Sequence, residues 1–128
     1  MKQIIFTEKA PAPIGPYNQA VLINGFLYTS GQIALHPETN ELALDSIENE
    51  TNQVMKNLEA VLEAASMTFE DAVKATIFIA NMNDFNRINL VYGQYFNEKT
   101  APARETVQVA CLPKNVNIEI SLIATKSN

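Results

Sequence analysis

Two stretches of this chain, Val73 to Ala80 (VKATIFIA) and Ile118 to Ala124 (IEISLIA), carry apolar residues on both alternating sets of positions. Each therefore reads as a strand buried on both faces, and such a strand needs cover above and below it. Only two other segments have the period of an amphipathic helix. Ile47, Thr51, Val54, Leu58, Val61, Leu62 and Ala65 form one stripe, and Phe85, Ile88, Tyr92, Tyr95 and Phe96 form the other. Two helices cover one face of a sheet of five or six strands, so the second face must find its cover elsewhere. A symmetric oligomer supplies that cover without any further chain, and it places sites at subunit boundaries. The expectation is an α+β domain, a mixed sheet of about six strands with two helices packed on one face, that associates with copies of itself.

Local signals place the other elements. Asn24-Gly25 takes the positive φ angles of a two-residue hairpin turn between Tyr17 to Ile23 and Phe26 to Ser30. Asp45 or Ser46 caps the first helix, and Thr68 caps a short turn through Asp71. Asn83 or Asp84 starts the second helix, which the apolar stripe carries to near Lys99. Pro102 holds its predecessor extended, and Glu105 to Cys111 and Asn117 to Thr125 read as a final strand pair folded around Leu112-Pro113. The predicted order is β-β-β-α-β-α-β-β. No repeat or linker divides the chain, so residues 1–128 are expected to form a single domain.

Composition excludes several functions. Nine basic against fourteen acidic residues give a net charge of −5, and the cations are scattered, so no nucleic-acid partner is expected. One Cys and one His cannot build a Cys/His zinc site, and any Ser-His-Asp triad would have to use His36, which precedes Pro37 in a polar, solvated loop. No metal is expected. Cys111 reads as a small filler at a strand end, and the acidic run Glu38 to Glu50 as the solvated face of a loop and helix start. With no export signal, no membrane-spanning run and a lone thiol, the chain is expected in the cytoplasm, away from membranes.

A few residues sit uneasily in that frame. Arg104, one of two arginines, follows the rigid Ala101-Pro102-Ala103, where a pre-set backbone can aim its fork at a carboxylate; a surface ion pair with Glu105 fits equally. Glu119 lies within an apolar strand. Burial would raise its pKa and prepare it as a general base, whereas a solvent-facing position would be ordinary. Asn89 places an amide on the apolar stripe of the second helix, to brace a neighbouring strand or to face a ligand. Tyr17, Ser30 and Gly31 gather at the ends of the first hairpin, where turn and packing roles explain them as well as a pocket does.

Ile14-Gly15-Pro16-Tyr17, Thr29-Ser30-Gly31-Gln32-Ile33 and Pro102-Ala103-Arg104, followed by Leu112-Pro113 and Ile118-Glu119-Ile120, form an ordered motif set. On these the chain resembles the reactive intermediate deaminase A (RidA, or YjgF) family from about Ile4 to Ala124. The resemblance implies a chorismate-mutase-like fold and a homotrimer with clefts between subunits. It further implies hydrolysis of 2-iminopropanoate and 2-iminobutanoate, tautomers of 2-aminoacrylate and 2-aminocrotonate, to a 2-oxo acid and ammonia, with no cofactor. By resemblance Arg104 grips the substrate carboxylate and Glu119 activates water, while Tyr17, Ser30, Gly31, Asn89 and Thr106 fall on the remaining cleft positions. Members of the family also act as chaperone-like or regulatory proteins, so a non-catalytic trimer that binds small carboxylates is the alternative. Three positions depart from the family's pattern: Glu105 could compete for Arg104, Thr106 replaces a frequent Cys, and Cys111 replaces an often basic residue. If Cys111 pairs with Asn117, Arg104 and Glu119 fall on opposite faces of the sheet, unless a bulge reverses the register or the two meet from different chains.

Overall fold

The computed structural model describes residues 1 to 126. Its elements are β1 (Gln3–Ile5), β2 (Ala20–Ile23), β3 (Phe26–Thr29), α1 (Ile47–Ala64), β4 (Ala72–Ile79), α2 (Phe85–Gly93), β5 (Ala103–Gln108) and β6 (Ile118–Thr125). All six strands join one mixed sheet in the order β1-β2-β3-β6-β4-β5, with both helices packed on the same face.

Local chemistry explains the boundaries. Asn24 and Gly25 both have positive φ, 52° and 80°, the conformation that lets a two-residue loop follow the twist of β2 and β3. The Ser46 side chain accepts a hydrogen bond from Asn49 N at 3.0 Å and so caps α1. From there Ile47, Thr51, Val54, Leu58, Val61 and Leu62 are all buried against the sheet. Thr68 and Asp71 form the reciprocal box that opens the turn before β4.

Alternation in β4 divides the molecule. Ala75, Ile77 and Ile79 lie under the helices with Ile118, Ile120 and Leu122 of β6, and all six are essentially inaccessible. Lys74, Thr76 and Phe78 turn to the other face, beside Ile123, Ser121 and Glu119 of β6. Among the described residues no helix or strand covers that face. Ile4, Phe26, Tyr28 and Val107 lie on it at 40–46% exposure, a contiguous apolar surface of the kind that marks an association site.

The structure corrects four expectations. First, β5 and β6 do not pair with each other: β4 lies between them, parallel to β5 and antiparallel to β6. The link from β5 passes round the end of β4, where Val109 N donates to Ile79 O and Ala80 N donates to Asn117 O. β4, α2 and β5 thus form a strand-helix-strand unit, which a reading of adjacent strands as a hairpin misses.

Second, α2 stops at Gly93 rather than near Lys99. Beyond it the backbone tightens to bonds three residues apart, while Tyr95 and Phe96 carry the apolar stripe on by packing edge-on against Phe69 at 5.3 and 5.2 Å between ring centroids. Third, Cys111 is exposed and outside any strand, its thiol donating to Asn115 Oδ1 at 3.2 Å.

Fourth, Glu50 is not solvated. It is fully buried, three residues after Ile47 and four before Val54, on the same helical stripe. Its two oxygens accept from Asn117 N and Asn117 Nδ2, each at 2.7 Å. This carboxylate ties α1 to the residue preceding β6. In Glu50→Ala both donors lose their acceptor and a cavity remains, so the expected loss is about 2–5 kcal/mol in denaturant unfolding. Glu50→Gln should recover most of it, because a turned Asn117 amide can offer its oxygen to the new NH2 group.

Candidate active site

Two separate clefts hold the residues singled out in the sequence. The first is a cavity of about 270 Å³ whose walls include Ile14, Tyr17, Gly31, Ile33, Lys114 and Glu119. That is several times the roughly 30 Å³ of a liquid water molecule, so a small organic acid fits.

Glu119 reaches this cavity because its neighbour on the sheet, Ile120, exchanges backbone hydrogen bonds with Gln32 at 2.8 and 3.2 Å. The bridge draws Gly31 against the carboxyl group. A Cβ on Gly31 would lie 2.6 Å from Glu119 Cδ and 3.0 Å from Oε1, so Gly31 is required for space, not for its backbone angles. Burial raises the Glu119 pKa above the ordinary 4.5. Glu119 is therefore the half-buried acid of the two sequence readings.

Tyr17 is half exposed on the rim, its phenol accepting from Ile14 N at 3.3 Å. Ser30 does not line the cavity: its hydroxyl donates to Asn18 O at 2.5 Å and secures the hairpin end.

The second cleft lies between α2 and the start of β5, and Asn86, Asn89, Tyr92, Phe96 and Arg104 line it. Asn89 is exposed rather than buried, since its stripe position faces this groove. Its Oδ1 accepts from Arg104 Nη1 at 2.6 Å. The guanidinium carbon also lies 5.0 Å from the ring centre of Tyr92 and 5.6 Å from that of Phe85. Glu105 does not compete for Arg104. Alternation sends it to the opposite face, where it accepts from Lys74 Nζ at 2.9 Å. Thr106 shares the Arg104 face of β5, and its hydroxyl is buried with no protein partner.

Register decides how the two clefts relate. Arg104 pairs with Ala75 and Glu119 pairs with Phe78, three residues apart on β4, so their side chains leave opposite faces of the sheet. The only irregularity in the β4–β6 ladder falls between Ala72 and Lys74, before both pairs, and cannot reverse this parity. Within one chain, then, Tyr17, Gly31 and Glu119 come together, Asn89 and Arg104 come together, and the two groups remain apart.

Four residues of these clefts, Gln19, Lys114, Phe85 and Tyr92, escaped the sequence reading. Gln19 is buried and fixes the proline-rich lead-in over the first cavity: Oε1 accepts from Thr7 N at 2.7 Å, and Nε2 donates to Thr7 O, Ala10 O and Pro11 O. Its amide just before the apolar run of β2 offered a signal for it. Lys114 is set into the same cavity by two consecutive residues with positive φ, Lys114 and Asn115 at 55° and 56°. Nothing local in the Pro-Lys-Asn sequence announced that conformation. The aromatic partners of Arg104 were visible only as members of a core stripe.

The described residues contain no helix long and apolar enough to cross a membrane. Residues 7–126 match the model of a family described as endoribonuclease L-PSP. A RutC family protein of Synechocystis is 53% identical, with 95% of each chain aligned. The human 2-iminobutanoate/2-iminopropanoate deaminase is 44% identical over 97% of this chain and 90% of its own length. Among solved structures, that of Escherichia coli TdcF with bound serine superposes with a TM-score of 0.92 at 42% identity, covering 98% of this chain and 99% of the other. With the motif set of the RidA group and that group's sheet and helices, the chain belongs to the endoribonuclease L-PSP family.

Proposed function

We propose that the protein hydrolyses 2-iminopropanoate and 2-iminobutanoate, the tautomers of 2-aminoacrylate and 2-aminocrotonate, to pyruvate or 2-oxobutanoate and ammonia. The observation that carries this reading is the pair of half-sites, a desolvated carboxyl group in a small cavity and a guanidinium held ready on the opposite face. In a homotrimer built on the uncovered sheet face, Arg104 of one subunit meets Tyr17, Gly31 and Glu119 of the next. Similarity to the human deaminase supports the activity, and the contiguous apolar face supports the assembly.

The chemistry asks little of the protein. The iminium carbon is already electrophilic, so orientation and a base suffice, and no cofactor enters. Arg104 binds the carboxylate, and Glu119 takes a proton from water as its oxygen bonds to C2. The same carboxyl group then protonates the amine of the tetrahedral adduct. As the hydroxyl returns its proton to the carboxylate and collapses to a carbonyl, the C–N bond breaks and ammonia leaves, carrying that proton away as ammonium.

A substrate iminium would supply the cation that Glu119 lacks, favouring its ionised form as the substrate binds. Net charge of −5 and scattered cations disfavour a nuclease. The relative with serine bound favours one other reading, a trimer that binds small amino or oxo acids for regulation without turnover. Such a binder needs the clamp but not the base.

The deciding experiment follows 2-oxo acid release from freshly generated 2-aminoacrylate and 2-aminocrotonate. Wild type should exceed the solvent rate, Glu119→Gln should lower kcat at least about a hundredfold, and Arg104→Ala should raise KM at least about tenfold. A folded, assembled wild type without acceleration overturns the enzyme in favour of the binder. Refolding the two impaired variants together at equal amounts should restore wild-type kinetics in about a quarter of sites, because each such site draws its intact Arg104 and Glu119 from different chains. No recovery in mixed trimers would place both residues in one chain's site.

The pH profile follows from the sign of the Glu119 shift. Its working form is the carboxylate, and burial raises the pKa, so kcat/KM should fall on acidification at a pH above the ordinary 4.5. An acid limb that persists unchanged in Glu119→Gln would mean that Glu119 is not the base.

A further inference from the structure

Most polar groups outside the two clefts are already engaged. Glu50 and Asn57 are buried with their bonds within the fold. The surface cleft beside His36 mixes Lys9 and Lys56 with Glu38 and Glu41 and holds no buried unpartnered group. One arrangement remains that the proposed reaction leaves unexplained. Arg104, the residue with the most freedom to lose, is held almost entirely by uncharged partners.

We propose that Phe85 and Tyr92 are positioning residues for the clamp, an aromatic cradle that fixes the plane of the Arg104 guanidinium and thereby the plane of the bound imino acid. This rests on the reading of Arg104 as the carboxylate clamp. Phe85, Asn89 and Tyr92 are spaced four and three residues apart, so α2 presents them as one column. Arg104 reaches that column from β5, with its carbon 5.6 Å from the Phe85 ring centre and 5.0 Å from that of Tyr92. Both lie within the roughly 6 Å over which a ring face attracts a cation. Asn89 Oδ1 takes one in-plane hydrogen from Nη1 and fixes rotation within the plane.

The choice of partners has a chemical consequence. A carboxylate in place of the rings would occupy the guanidinium edge that the substrate needs, whereas a ring face holds the cation and leaves its in-plane donors free. In a 2-imino acid the C=N bond is conjugated with the carboxylate. Fixing the guanidinium plane through a two-point contact therefore fixes the plane of the imine, and with it the face open to attack by water.

The Tyr92 hydroxyl points to the ring as the working part. Tyr92 is 6% exposed, yet its hydroxyl is buried without a protein partner. Burial raises its pKa, with Arg104 acting more weakly in the other direction. The phenol gives Arg104 no hydrogen bond. The flat hydrocarbon is what the guanidinium uses.

The test compares Tyr92→Leu, Phe85→Leu and Tyr92→Phe, with Arg104→Ala as reference, by steady-state kinetics on freshly generated 2-aminoacrylate. Loss of either ring should raise KM about three- to thirtyfold while changing kcat less. Tyr92→Phe keeps the ring and should bring KM back to within about twofold of wild type. Circular dichroism and sedimentation confirm folding and assembly. Phe85 is only partly buried, so Phe85→Leu tests the idea even where Tyr92→Leu fails to fold. Unchanged KM in folded Leu variants overturns the cradle, as does a Tyr92→Phe defect equal to that of Tyr92→Leu. If Arg104→Ala itself leaves KM unchanged, the reading of the clamp fails, which is a different result from a cradle that fails beside an essential Arg104.

Discussion

Because β4 lies between β5 and β6 and its side chains alternate, Ala75, Ile77 and Ile79 are committed to the helices, and whatever pairs with them inherits that side. Arg104 and Thr106 inherit the helix side from Ala75 and Ile77. Glu119 inherits the opposite side from Phe78. Moving Glu119 across the sheet would need a one-residue slip of β6, and that slip would turn Ile118, Ile120 and Leu122 away from α1. The apolar core thus enforces the separation of the two functional groups. The packing that makes the chain fold also prevents it from completing the proposed site alone.

The two half-sites are electrostatically unfinished in complementary ways. Glu119 is desolvated against Gly31 with no ion pair within the described residues, and Arg104 is held by an amide and two rings with no carboxylate bonded to it. Each is a group whose charge gains most from a partner supplied from outside the chain. The other arginine shows the contrast. Arg87 bonds to both oxygens of Glu48, at 2.8 and 2.7 Å, which holds that carboxyl group down at about pKa 2. A guanidinium so paired has its charge met and its bidentate edge filled. Of two arginines in the chain, only Arg104 is kept open.

Much of this was legible in the sequence, because the decisive signals were local. Asn24-Gly25 requires positive φ, Ser46 has the geometry of a cap, and two apolar faces on Val73 to Ala80 require cover on both sides. The uncovered face was itself a sequence inference, drawn from two helices set against six strands. What escaped was non-local. Nothing within residues 105 to 125 tells whether β6 returns beside β5 or passes to the far side of β4, since both routes use the same strands and the same Leu112-Pro113. Glu50 escaped for a different reason. Its spacing from Ile47 and Val54 put it on the buried stripe, but an acidic residue in an acidic run reads as solvated until the facing amide of Asn117 is known. A buried charge is intelligible only through its partner, and that partner lies 67 residues away.

The placement of Arg104 also bears on why a clamp and a base can share one small site. In the proposed trimer a free guanidinium near Glu119 would tend to collapse onto it, forming an ion pair that blocks the carboxylate subsite and lowers the pKa of the base. Restraint from behind opposes that collapse. Asn89 and the ring faces of Phe85 and Tyr92 attract the cation without neutralising it, so its charge remains available while its position does not follow the nearest anion. A longer or more basic residue on α2 in place of Asn89 would repel the guanidinium, and an acidic one would satisfy it. A neutral acceptor between two aromatic residues does neither, and this is the physical reason for placing the clamp against a helix stripe that otherwise belongs to the core.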